Sequence, residues 1–217
     1  MTWFFISIVA FLAGHILPGL FRRQLVAALG TSLYLFAFSA ISIGLLVWVI
    51  AAELNADYIA LWPYDPRSHW VPLVAMLPVC WLWVAALRQP CPLSIGRAKG
   101  YDPAHPGINR FTRHPLLLGV FIWGTAHLFP NGHLAAAIFF GGSALFALLG
   151  MGRMEKMRLR QLGAAEFDRL SAGTRRFYVP GLLKGALDWR DVLGGIILYG
   201  VILALHPLVL GRDPLAF

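Results

Sequence analysis

Five stretches of the chain contain no Asp, Glu, Lys or Arg: residues 1–21, 24–52, 68–87, 114–152 and 192–211. A helix needs about 20 apolar residues to cross roughly 30 Å of hydrocarbon. Four of the stretches fit one helix each. The longest, 114–152, fits two short helices with Phe129-Pro130-Asn131-Gly132-His133 as the turn between them. The pattern predicts an all-α, polytopic membrane bundle in a single domain. Its six spans lie at about 2–20, 26–52, 70–88, 114–129, 134–152 and 192–210. Composition points the same way. Only 13% of the residues are charged and 59% are hydrophobic, against about 25% charged in soluble domains. That excludes a soluble enzyme and a disordered chain. The first segment has no basic residues ahead of its apolar run, so it reads as a retained span rather than a cleaved leader.

The basic residues assign sides. Segments 22–23, 88–113 and 153–190 hold 16 of the 18 Lys and Arg, and these are alternate loops. The rule that short cytoplasmic loops are rich in Lys and Arg places those loops in the cytoplasm of a bacterial inner membrane and both termini outside. A net charge of +8 would suggest nucleic acid in a soluble protein. Here it is a topology signal, and no nucleic-acid partner is expected. In the loop 153–190, Met154, Met157, Leu162, Phe167 and Leu170 fall on one side of a helix. Glu155 and Glu166 precede Arg158 and Arg169 by one turn. This predicts an amphipathic helix, lying on the membrane surface or running solvated between spans. Cys80 and Cys91 are the only cysteines, and no disulfide is expected between them.

No predicted span contains an acid, so chemistry inside the bilayer falls to histidine. His15, His127 and His206 lie within spans, and His114 stands at the mouth of span four. One intramembrane histidine can simply bond a backbone carbonyl. Several in one small bundle favour a metal or haem, since neutral imidazole is a common metal ligand and an axial haem ligand. Arg113-His114-Pro115, at the positive end of a helix, reads in two ways. It forms an anion site for a carboxylate, a haem propionate or a phospholipid headgroup, or it is an interfacial anchor with Pro115 in the first helical turn.

The set Gly14-His15, Thr112-Arg113-His114-Pro115, Trp123-x-x-Ala126-His127 and Asn131-Gly132 resembles the NnrU family. That family includes the 15-cis-zeta-carotene isomerases of plants and cyanobacteria. The resemblance continues through Arg158-x-Arg160-x-x-Gly163-x-x-x-Phe167, Thr174-x-x-x-x-Val179-Pro180 and His206-Pro207-Leu208. It implies haem b held by His15 and His127, as catalytic and metal-binding residues. It also implies either cis–trans isomerisation of a lipophilic polyene or a role in nitric oxide and denitrification metabolism. Arg113, His114 and His206 complete the candidate cofactor-binding set. The expected partners are membrane lipid and a lipophilic small molecule or nitric oxide. Depth along the spans pairs His127 with His206 and His15 with His114, so His206 is the substitute for His15. Two positions depart from the isomerases. Gly124 replaces a cysteine three residues before the second ligand, and Phe146 stands about where the next helix carries a histidine. A second resemblance is to membrane methyltransferases acting on isoprenylcysteine or phosphatidylethanolamine. It rests on Arg113-His114-Pro115 and the segment ending Arg175-Arg176-Phe177-Tyr178-Val179-Pro180, but Glu155-Lys156 replaces their paired Glu-Glu. It implies S-adenosylmethionine at Arg113 and His114 and no haem.

Overall fold

The structure, a computed structural model, describes residues 1–216. Among these residues the regular elements are helices, and the order follows the apolar runs. The helices are α1 (Thr2–Leu20), α2 (Arg22–Leu54), α3 (Trp70–Arg88), α4 (Pro115–Leu128), the short α5 (Leu134–Ala136), α6 (Gly142–Leu162), α7 (Ala164–Ser171) and α8 (Trp189–Leu210). A π-helical turn, Ala137–Gly141, joins α5 to α6. Five segments are long and apolar enough to cross a membrane: α1, α2, Pro66–Arg88, Leu134–Leu162 and α8. They mark a multi-pass membrane protein. The sixth expected span is α4, whose 14 residues reach about 21 Å at 1.5 Å per residue. It opens at Pro115 and stops before Phe129-Pro130, so six spans is an approximate count.

The chain divides into two compact units: residues 1–61 with 133–136, and residues 62–132 with the chain from 137 onward. The smaller unit is an antiparallel hairpin of α1 and α2. Tyr34 Oη donates to Pro18 O (3.4 Å), and the amino terminus pairs with Asp57 (2.6 Å). The expected span 26–52 falls within α2, which is kinked at Gly30 (φ 75°, ψ 160°). Only glycine takes that conformation without strain, and it divides α2 into a short first piece and a longer second one. Most of the hairpin's apolar side chains are exposed, Trp3, Val9 and Phe36 among them. In water that surface would drive aggregation; in a bilayer it faces lipid.

In the larger unit α3 lies antiparallel to α4 and to α8. Arg88 and Gln89, at the end of α3, bond Asp191 near the start of α8. At the other end Tyr199 Oη donates to Leu73 O (3.0 Å). Leu82, Ala85, Phe111, Leu117, Leu118, Ala147 and Met151 form the core between α3, α4 and α6.

The amphipathic stretch expected within the loop 153–190 is helical but in two pieces. Helix α6 carries straight on from the apolar run to Leu162 and stops at Gly163 (φ 79°). Helix α7 then takes eight residues, and the chain turns at Gly173 (φ 69°). Two glycines in left-handed conformations cut the periodic pattern into pieces. Of the two expected helical ion pairs, Glu166–Arg169 forms (2.7 Å), whereas Glu155 turns inward to other partners. Cys80 and Cys91 are both buried and free.

Candidate functional site

The basic end of the larger unit is organised by Thr112-Arg113-His114-Pro115. Residues 111–113 and 175–178 run side by side, Arg113 N–H donating to Arg175 O (3.0 Å) and Tyr178 N–H to Phe111 O (2.8 Å). Thr112 donates its hydroxyl to Arg176 O (2.7 Å) and accepts from His114 N–H (3.2 Å). His114 is fully buried between Ser94 Oγ (2.9 Å from Nδ1) and Glu155 Oε1 (3.3 Å from Nε2). A carboxylate only accepts, so Nε2 carries the proton and Nδ1 accepts from the serine hydroxyl. Burial holds the His114 imidazole below its ordinary value, against the opposing pull of Glu155.

Glu155 lies beyond the apolar part of α6, on the segment that leaves the membrane. It accepts from Arg113 Nη1 on Oε1 (2.9 Å) and from Arg176 Nε and Nη2 on Oε2 (2.9 and 2.6 Å). Burial pushes this carboxyl up, but the hydrogen bonds and charge of Arg176 and Arg113 outweigh it and hold the group below the usual glutamate value. Arg113 spends its remaining donors on Thr174 Oγ1 and Thr174 O (3.1 Å each). The anion that meets Arg113 and His114 is therefore the protein's own Glu155. Ser94, Glu155 and Arg176 are the members that sequence reasoning missed. The available signal was that Glu155 is the single acid in a run of Arg153, Lys156, Arg158 and Arg160.

The opposite end of the unit is aromatic. His127, in the last turn of α4, donates Nδ1–H to Trp123 O (2.8 Å), four residues back. Its ring stacks on Phe140 (centroids 5.1 Å apart, 23° between planes) and tilts against Trp123 (5.5 Å). Phe139 and Phe140 both meet Trp123, although they are adjacent in sequence. The π-helical turn presents both to α4. Gly124 allows this contact, because a Cβ there would stand 2.6 Å from Phe140 O. The position that is cysteine in the carotene isomerases therefore cannot hold a cysteine in this packing. Phe146 is 61% exposed on α6 and offers no ligand.

His206, late in α8, lies within electrostatic range of His127 and donates Nδ1–H to Arg212 O (2.7 Å). These two histidines are brought to one end of the larger unit, and His114 is at the other. His15 belongs to the smaller unit. It repeats the His127 arrangement, donating Nδ1–H to Phe11 O (2.8 Å), again four residues back, and it lies against Phe11 and Phe38. In all three rings no hydrogen bond reaches Nε2 among the described residues. Each Nε2 thus keeps its lone pair, the arrangement in which a second bond fixes the tautomer of a ligating imidazole. No cluster of three or more His, Cys, Asp or Glu suited to a metal ion occurs among the described residues.

A family model described as NnrU protein matches residues 3–214. No curated protein and no solved structure matches the chain.

Proposed function

The chain belongs to the NnrU family, and from that premise we propose that it is a bacterial inner-membrane protein that binds haem b, with His127 and, as the family resemblance implies, His15 as the candidate ligands. The observation that carries the proposal is the shared state of these two imidazoles. Each ties Nδ1–H to the carbonyl one turn back and leaves Nε2 to coordinate. When bound, haem iron supplies a Lewis-acid and redox centre suited to cis–trans isomerisation of a lipophilic polyene or to binding nitric oxide. The protein's own residues supply orientation and exclude water. Trp123 and Phe140 wall His127, and Phe11 and Phe38 wall His15. Arg113 and His114 support the fold through Glu155, and His206 is the substitute second ligand. The basic loops are assigned to the cytoplasm and both termini to the outside.

An optical spectrum of the purified protein tests this. The expected result is a Soret band that shifts on reduction, lost in His127→Ala and His15→Ala and kept in His206→Ala. Loss in His206→Ala with retention in His15→Ala moves the second ligand to His206. A His127→Ala protein with full haem content overturns the proposal. Absence of a Soret band after haem is supplied, together with binding of S-adenosylmethionine, favours the methyltransferase reading. That outcome requires Arg113 and His114 to release Glu155.

A further inference from the structure

We propose that the basic end of α6 holds the headgroup of an anionic phospholipid, in a groove bounded by Leu148, Leu149, Gly152, Arg153, Lys156 and Arg176. The groove is a shallow, open one of about 490 Å³. Its apolar lip belongs to the lipid-facing run: Leu148 and Leu149 are 51% and 65% exposed. Arg153 and Lys156 follow Leu149 by four and seven residues, so they stand on the same side of the helix, one and two turns further toward the basic end. Arg176 completes the rim from another segment. Its guanidinium lies over Gly152, where a Cβ would stand 3.9 Å from Nη2, and Glu155 holds it there through two hydrogen bonds.

Charge selects the occupant. Both oxygens of Glu155 are already shared among Arg113, His114 and Arg176. Arg153 and Lys156 have no ion pair or hydrogen bond among the described residues. Two uncompensated cations at the border between an apolar helix face and a polar loop are complementary to a lipid phosphate. A zwitterionic headgroup would bring its own ammonium against them, whereas a phosphodiester without an amine would not. The acyl chains would then run along Leu148 and Leu149. This site is at the opposite end of the unit from His127 and does not depend on the haem proposal.

Native mass spectrometry of the full chain in detergent, titrated separately with phosphatidylglycerol and phosphatidylcholine, tests the assignment. The wild type is expected to prefer phosphatidylglycerol. At roughly tenfold or less per cation, Arg153→Gln with Lys156→Gln lowers its affinity by about thirtyfold, to the level of phosphatidylcholine. Lys99→Gln with Lys184→Gln removes two exposed cations outside the groove and is expected to leave the preference intact. An equal loss in that control overturns the proposal, since the effect would be general surface charge. Displacement of the lipid by an equal concentration of glycerol phosphate also overturns it, in favour of a soluble phosphate. Melting temperatures recorded in the absence of added lipid check folding. Arg153→Glu, a single reversal at the rim, is expected to abolish the preference while leaving that temperature unchanged.

Discussion

At the basic end of the larger unit, Arg113, His114 and Arg176 converge on Glu155 and almost every donor is used. At the other end, aromatic rings surround His127 and one ring nitrogen is left without a bond. Both ends use histidine beside a helix terminus, yet they put it to different physical use. His114 is held at both nitrogens by side chains and is locked into an ion network. His127 is held at one nitrogen by its own helix. A polar group bonded on every side contributes to stability and specifies packing. A polar group oriented on one side and open on the other is preorganised for a ligand.

The comparison breaks most severely at Glu155. Glu155→Ala leaves two guanidiniums and a buried imidazole without their acceptor, and is expected to cost about 3 kcal/mol. Unfolding of the detergent-solubilised protein measures this, and His127→Ala under the same conditions is expected to cost less. At the aromatic end, Gly124→Cys places a Cβ against Phe140 O and is expected to cost about 2 kcal/mol by overpacking. A stable Gly124→Cys protein would show that α4 and the π-helical turn separate more easily than their contact implies.

Acid should act first on the polar end. The folded pKa of His114 lies below the ordinary value of 6.5. Its contribution is therefore complete above 6.5 and is lost as pH falls through the folded value. The folded pKa of Glu155 lies below 4.5, so its contribution is complete above 4.5 and is lost at still lower pH. A stability profile from pH 8 to 4 is expected to fall below 6.5 in the wild type. In His114→Asn the upper part of that fall should disappear. The smallest effect is expected at Glu166→Gln, which removes an exposed helical pair with Arg169. Such pairs are screened by solvent, and the unfolding midpoint is expected not to move.

The helices were legible because lipid imposes so strict a rule on charge. The uncharged runs marked α1, α3 and α8 closely, and Pro115 and Phe129-Pro130 bounded α4. The family was legible from short motifs spread in order along nearly the whole chain. Gly30 was not legible as a break, since a glycine in an apolar run looks the same whether it packs helices or reverses a chain, and only φ distinguishes them. The partners of Glu155 were not legible for another reason. Local spacing favours Arg158, but Arg158 turns to Ser94 O and Gln161, and Arg113 and Arg176, distant in sequence, supply the charge-assisted hydrogen bonds to Glu155. The Nδ1 bonds of His15 and His127 depend on side-chain rotamers, which no residue pattern announces.

The π-helical turn at Ala137–Gly141 also acts at a distance. One residue beyond a regular helix rotates everything downstream by about 100°. The turn carries Phe140, which walls His127, and runs directly into α6, which delivers Glu155. It therefore sets the angular phase between them, and deleting a single residue there would turn the carboxylate away from Arg113 while leaving every side chain of the polar network in place in the sequence. The two ends of the unit are thus timed by the same irregularity, as two cams are set on one shaft.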